Sequence, residues 1–227
     1  MKMKNLIALA VLGLVFGFAG ILEVSAQTQA KDLYTQYNDG NNATVGYEGM
    51  KVSVLLKRGN QRERVVSTNE TFYSGDKIKL IFDINFSGYA AIVNTGSSGK
   101  ENLLFPYFDN SNRLISHQVS PNAGTQLPRG NDWIVFDNNA GNERITVIFS
   151  KKPIVELENY EETVTGNSSG TQAEGNERDQ ILSELNSKSL GKSKDLYTQT
   201  NNDGTYGVAL NGLGNEPVAF TFSLKHK

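Results

Sequence analysis

Apolar residues that alternate with polar ones at a period of two dominate this chain, and that period belongs to half-buried strands. Ile78, Leu80, Phe82 and Ile84 point one way while Lys77, Lys79, Asp83 and Asn85 point the other. Ile145, Val147 and Phe149 repeat the device, as do Val218, Phe220, Phe222 and Leu224. Further strands are expected over 47–57, 64–67, 88–94, 102–105 and 133–137. The turns agree, because Gly59, Gly75, Gly88 and Gly141 each stand where a positive φ is expected. Many short strands with frequent turns predict an all-β fold, an antiparallel β-sandwich that is immunoglobulin-like or a partly open barrel.

Two segments depart from this pattern. Residues 161–175 are rich in Thr, Ser, Asn, Gly and Glu and read as a flexible loop. Residues 177–190 carry Ile181, Leu182 and Leu185 at helical spacing, with Asn176 as N-cap and Gly191 as stop, and predict one short helix.

The start of the chain is of another kind. Lys2 and Lys4 precede an apolar block from Leu6 to Leu22, and Val24-Ser25-Ala26 precedes the polar Gln27. This reads as a signal peptide over residues 1–26, cleaved after Ala26, and predicts a periplasmic or secreted protein with no membrane span after cleavage. The chain has no cysteine, so it carries neither a lipid-modified cysteine nor a disulfide. Residues 27–227 are enough for one domain with a hydrophobic core. The formal net charge of −2 comes without any basic run, which argues against a nucleic-acid partner and a polybasic membrane patch.

The chemistry-bearing residue types are sparse. The two histidines, His117 in a polar loop and His226 at a frayed C-terminus, are read as surface residues without a nucleophile beside them. Two isolated histidines and no cysteine make a zinc site improbable, and no metal or cofactor is expected. Gly191-Lys192-Ser193 lacks the earlier glycine and the preceding strand of a phosphate loop. Asp137–Glu143 and Asn201–Gly204 offer oxygens to calcium but read as hairpin turns. Asn42, Asn69, Asn85 and Asn167 stand in glycan-acceptor patterns, which matter only in a eukaryotic secretory pathway.

Aromatic residues are the better candidates for binding. Tyr107 and Phe108 follow Pro106 beyond a strand end, and the only tryptophan, Trp133, opens the next strand. Their rings suit stacking on a sugar or a peptide, and the alternative is that Trp133 and Phe108 cap the core. The expected function is non-catalytic binding of an envelope protein or an extracellular polysaccharide or peptide polymer. The rival is a glycosidase-like hydrolase that draws two carboxylates from residues such as Asp83, Asp132 and Asp137.

The order Ser74-Gly75-Asp76, Ser87-Gly88-Tyr89, Leu104-Phe105-Pro106, Leu127-Pro128, Phe136-Asp137, Gly141-Asn142-Glu143 and Ser150-Lys151-Lys152-Pro153 resembles the bacterial domain-of-unknown-function family 4384 over residues 72–153. That resemblance implies a β-rich extracytoplasmic module with an accessory role, and it supplies no catalytic residue. Finally, KDLYTQ occurs twice, at 31–36 and 194–199, each time with Asn-Asp-Gly shortly after it. Both copies are expected to be equivalent edge strands that frame the 72–153 core.

Overall fold

A computed structural model describes residues 29–38, 47–107, 114–158, 180, 182–185 and 196–227, the side chains of 36–38 excepted. The signal-peptide and 161–175 readings therefore lie outside the described residues. The alternating segments form two open sheets. One contains β1 (Gly49–Lys57), β2 (Arg64–Val66), β4 (Lys77–Ile84), β8 (Thr125–Leu127), β9 (Ile134–Val135), β11 (Leu196–Asn201) and β12 (Gly204–Ala209). Its order is β11-β12-β1-β4-β8, with β2 also pairing β1 and β9 also pairing β4. The other contains β3 (Thr71–Phe72), β5 (Gly88–Thr95), β6 (Glu101–Phe105), β7 (Gln118–Val119), β10 (Gly141–Ser150) and β13 (Val218–His226), in the order β3-β13-β10-β5-β6 with β7 on β5. All pairs are antiparallel except β3 with β13. The fold is a β-sandwich.

Register turns the period of two into a core. Met50, Val52, Val54 and Leu56 of β1 lie opposite Ile84, Phe82, Leu80 and Ile78 of β4, so all eight side chains share the inner face. They meet Ile92, Phe105, Ile145, Val147, Phe149, Phe220 and Leu224 of the second sheet in one buried cluster. Phe82 and Phe105 pack with ring centroids 5.0 Å apart, and Phe149 meets Phe220 edge-on at 6.2 Å. Gly207 of β12 makes this approach possible, because a Cβ there would lie 2.4 Å from the Phe220 ring. The same need for close approach explains Gly88 and Gly141, which are not among the residues with positive φ. Gly59 and Gly75 do have positive φ, as expected.

Each outer face has a helical cover, so three helical segments stand where one was expected. Helix α1 (Ala30–Asn38) lays Ala30, Leu33 and Tyr34 on Tyr206 and Val208 of β12. On the second sheet, a helical turn at 155–158 and the helical residues 182–185 bring Leu157, Leu182 and Leu185 together with Ile154 over Ala91, Val93 and Ile148. The predicted helix at 177–190 is thus helical where it is described. No helix among the described residues is long and apolar enough to cross a membrane.

The repeat departs most from expectation. The first KDLYTQ lies within α1, and Leu196–Gln199 of the second lie in β11, so the shared Leu-Tyr-Thr-Gln takes two conformations. Context decides between them. In the first copy, Leu33 and Tyr34 follow Ala30 by three and four residues and land on one apolar face. In the second, a turn at Gly204 folds β11 onto β12, and alternation puts the partly buried Leu196 against the core and Tyr197 against the α1 cluster. Asn85 ties α1 to the sheet, accepting from Gly49 N–H at 2.8 Å and donating to the Tyr34 and Tyr47 carbonyls at 3.0 Å. Its buried amide is spent on these bonds, whereas Asn69 is exposed and Asn42 and Asn167 lie outside the described residues.

Candidate binding cleft

At one end of the sandwich the lateral cover is thin, because β9 meets β4 at only two positions, Val135 opposite Lys77 and Ile134 opposite Ile78. Between the sheets there, a cleft of about 500 Å³ opens. Ile78 and Leu80 of β4, Ile134, Leu104 of β6, Ile145 of β10 and Leu224 of β13 form its walls. These residues continue the core, which is why the walls are apolar. The volume suits a small organic ligand or a few inserted side chains.

Phe136 is fixed at the cleft by the turn between β3 and β4. Its N–H donates to the Asp76 carbonyl at 3.0 Å, and Gly75 N–H donates to the Phe136 carbonyl at 2.9 Å. The turn is clamped in its own right, since Arg58 grips the Asp76 carboxylate through Nε at 2.9 Å and Nη2 at 2.7 Å. Burial pushes the Asp76 carboxyl upward, but the Arg58 bond and the Tyr73 N–H outweigh it, so the net shift is downward. Phe136 stacks on Phe72 at 5.0 Å and packs against His226 at 4.9 Å.

The rim is polar and carries carboxylates. Asn94 Nδ2 donates to Glu143 Oε2 at 3.2 Å, and Ser97 N–H donates to Glu143 Oε1 at 3.4 Å. Asn94 Oδ1 is buried and has no hydrogen-bond partner among the described residues. Asp137 accepts from the Asn139 N–H at 2.7 Å and from Asn139 Nδ2 at 2.8 Å, and these bonds, with a smaller contribution from His226, hold its carboxyl below the usual range. Asp137, Asn139, Glu143 and His226 all border the opening, and among the described residues no Lys or Arg lines it.

The comparisons bear on this part of the chain. Residues 71–153 match the Domain of unknown function family (DUF4384). No curated protein and no solved structure matches the chain. The DUF4384 segment runs from β3 to just beyond β10 and supplies the whole cleft lining except Leu224 and His226. Those two arrive on β13, which lies between β3 and β10 within the second sheet. The site is thus completed by a strand from outside the family segment.

Tyr107 and Trp133, singled out by sequence, are not among the cleft-lining residues. Trp133 is half-buried on the β8–β9 connection, with Lys57 Nζ 5.6 Å and Lys79 Nζ 5.2 Å from its ring centroid. Lys79 also donates to the Gly130 carbonyl. Trp133 is therefore a cation-packed residue outside the core cluster and the cleft lining. Tyr107 packs against Arg129, whose Cζ lies 5.0 Å from the ring centroid, on the same connection as Trp133. Phe108 lies outside the described residues. Of the three candidate carboxylates only Asp137 reaches the cleft, while Asp83 accepts from Gly124 N–H at 2.6 Å and Asp132 is exposed on the β8–β9 connection.

Both histidine readings need correction. His117 is buried, not a surface residue: its Nε2 accepts from Ile154 N–H at 3.1 Å, its ring meets Tyr89 at 5.0 Å, and burial lowers its pKa to about 4. His226 is buried in β13 opposite Gly141 and Phe72, with Nε2 3.4 Å from Ser74 Oγ, and is not frayed. Glu143 and Asn94 were missed as site residues. Asn94 reads as the end of a strand and Glu143 as part of a hairpin turn, and no local spacing marks two side chains that meet across β5 and β10.

Proposed function

We propose that this chain is an exported, non-catalytic binding module that seats an apolar group of an envelope protein or extracellular polymer in the cleft between its sheets. The cleft carries the reading, since it joins apolar walls to a rim of amide, hydroxyl and carboxylate groups. The geometry around Ser74 favours binding over acyl transfer. Ser74 and His226 approach each other, but the N–H groups of the two residues that follow, Gly75 and Asp76, are committed to the Phe136 and Tyr73 carbonyls. An oxyanion there would find the Gly75 and Asp76 N–H groups already taken.

A hydrolase remains the second reading because Asp137 and Glu143 border one cleft. A glycosidase needs one carboxyl held protonated, and Asp137 is shifted the other way. Ala140→Trp at the mouth tests the main reading. The unmodified protein should retain a species from solubilised cell envelope that the blocked variant loses, and identical retention by both would reject the cleft. Turnover of a glycan by the unmodified protein, abolished by Asp137→Asn or Glu143→Gln, would establish the hydrolase instead. Export is tested by the intact mass of the secreted form, which should begin at Gln27.

A further inference from the structure

Resting on the binding reading above, we propose that the cleft selects an organic ammonium ion, with its apolar body between the sheets and its N–H groups at the Asn94–Glu143 rim. Two independent features point to this chemistry. The first is charge: Asp137 and Glu143 line the cleft and no Lys or Arg among the described residues does, although the whole chain carries 22 Lys and Arg against 24 Asp and Glu. A nearly balanced protein thus places only negative formal charge from acids and bases at this opening, leaving His226 aside.

The second feature is the hydrogen-bond inventory. Asn94 Nδ2 donates one N–H to Glu143, and Asn94 Oδ1 is buried with no partner among the described residues. Glu143 receives only long bonds, 3.2 Å from Asn94 and 3.4 Å from Ser97 N–H. The buried polar atom left without a partner at this rim is therefore an acceptor. An ammonium group brings three donors and a positive charge, an alcohol brings one donor, and a carboxylate brings none. A bare metal ion fits poorly, because Ile78, Leu80, Leu104 and Ile134 have no side-chain atom to coordinate it. The cleft instead calls for a cation that carries its own apolar body. Asp137 contributes field more than contact, since its oxygens already serve Asn139.

Calorimetry on residues 27–227 with 4-phenylbutylammonium, 4-phenylbutanol and 4-phenylbutyrate separates charge from shape. The ammonium should bind roughly tenfold tighter than the alcohol, as one charge-assisted hydrogen bond warrants, and the carboxylate should bind weakest. Glu143→Gln should bring the ammonium to within about threefold of the alcohol. Asp137→Asn, in an exposed turn, should narrow the gap less and serves if Glu143→Gln does not fold. Equal binding of all three probes would overturn the ammonium assignment while leaving the cleft as a site. Binding of none would remove both. A blocked Leu-Lys-Leu peptide set against its norleucine counterpart distinguishes the sources. Preference for lysine places the ammonium on a partner chain, and binding of the small amine alone places it on a small molecule.

Discussion

Gln199 Oε1 accepts a hydrogen bond from the Ala30 N–H at 2.8 Å, so one KDLYTQ copy closes the start of the helix that holds the other. Nearby, Asp203 Oδ2 receives Lys31 Nζ at 2.9 Å, Lys51 Nζ at 3.2 Å and Tyr206 Oη at 2.8 Å. Burial raises the Asp203 carboxyl, but these donors outweigh it and bring its pKa to about 2. The repeated sextets are not equivalent parts placed apart. They meet, and the strand copy anchors the helical one.

Gln199→Ala should therefore strand a helix N-terminal donor and cost about 1 kcal/mol. Urea unfolding measures the loss, and amide exchange at Ala30 localises it. Gln199→Glu, which keeps an acceptor, should recover most of it. If the alanine variant matches the unmodified protein in both measurements, the contact contributes nothing.

His117 sets a pH dependence on the acid side. Its pKa of about 4 in the folded state lies below its ordinary 6.5, so the unfolded chain takes up a proton first as pH falls. Stability from this group should be complete above pH 6.5, decline toward pH 4 and change no further below. The full span is about 3 kcal/mol by linkage. His117→Gln should flatten that part of the stability profile, and an unchanged slope would mean that the buried imidazole is not its source.

Gly207 and Phe220 should behave as a coupled pair. Gly207→Ala pushes a methyl into the ring and should cost about 1–3 kcal/mol. With Phe220→Leu in the background the added cost should shrink. Simple additivity of the two changes in thermal unfolding would show that the ring does not meet the new methyl.

Removing residues 154–227 deletes β11, β12 and β13, so that β1 loses β12 and β10 loses β13. Residues 27–153 should then lack the cooperative thermal transition of residues 27–227. An equally stable short form would divide the chain into separate units.

The long strands were legible because sustained alternation fits a half-buried strand and little else, as along Ile78, Leu80, Phe82 and Ile84 of β4. Strands of two residues, such as β3, β7 and β9, are too short to show a period, and they exist because longer neighbours offer them a register. β12 was hidden by its own burial: Gly204–Ala209 is covered on both faces, under α1 on one and against Phe220 on the other, so its alternation is blunted. The helical fate of 31–36 depends on Tyr206 and Val208, far along the chain, and no reading of the sextet contains them. The cleft was invisible for the same reason. Phe136, Glu143 and His226 are ordinary residues until β13 brings the last of them to the first two.

That placement of β13 also bears on time. Phe72 pairs with His226 and Gly49 with Val208, so neither sheet acquires its middle until distant stretches have found each other. Closing such long loops is slow, on the order of milliseconds to seconds for sandwiches of this kind. Meanwhile β1 and β10 each present a bare edge to any other chain in solution. The concentration at which this protein can be refolded is therefore governed by how quickly β12 and β13 arrive, not by how firmly the finished sandwich holds.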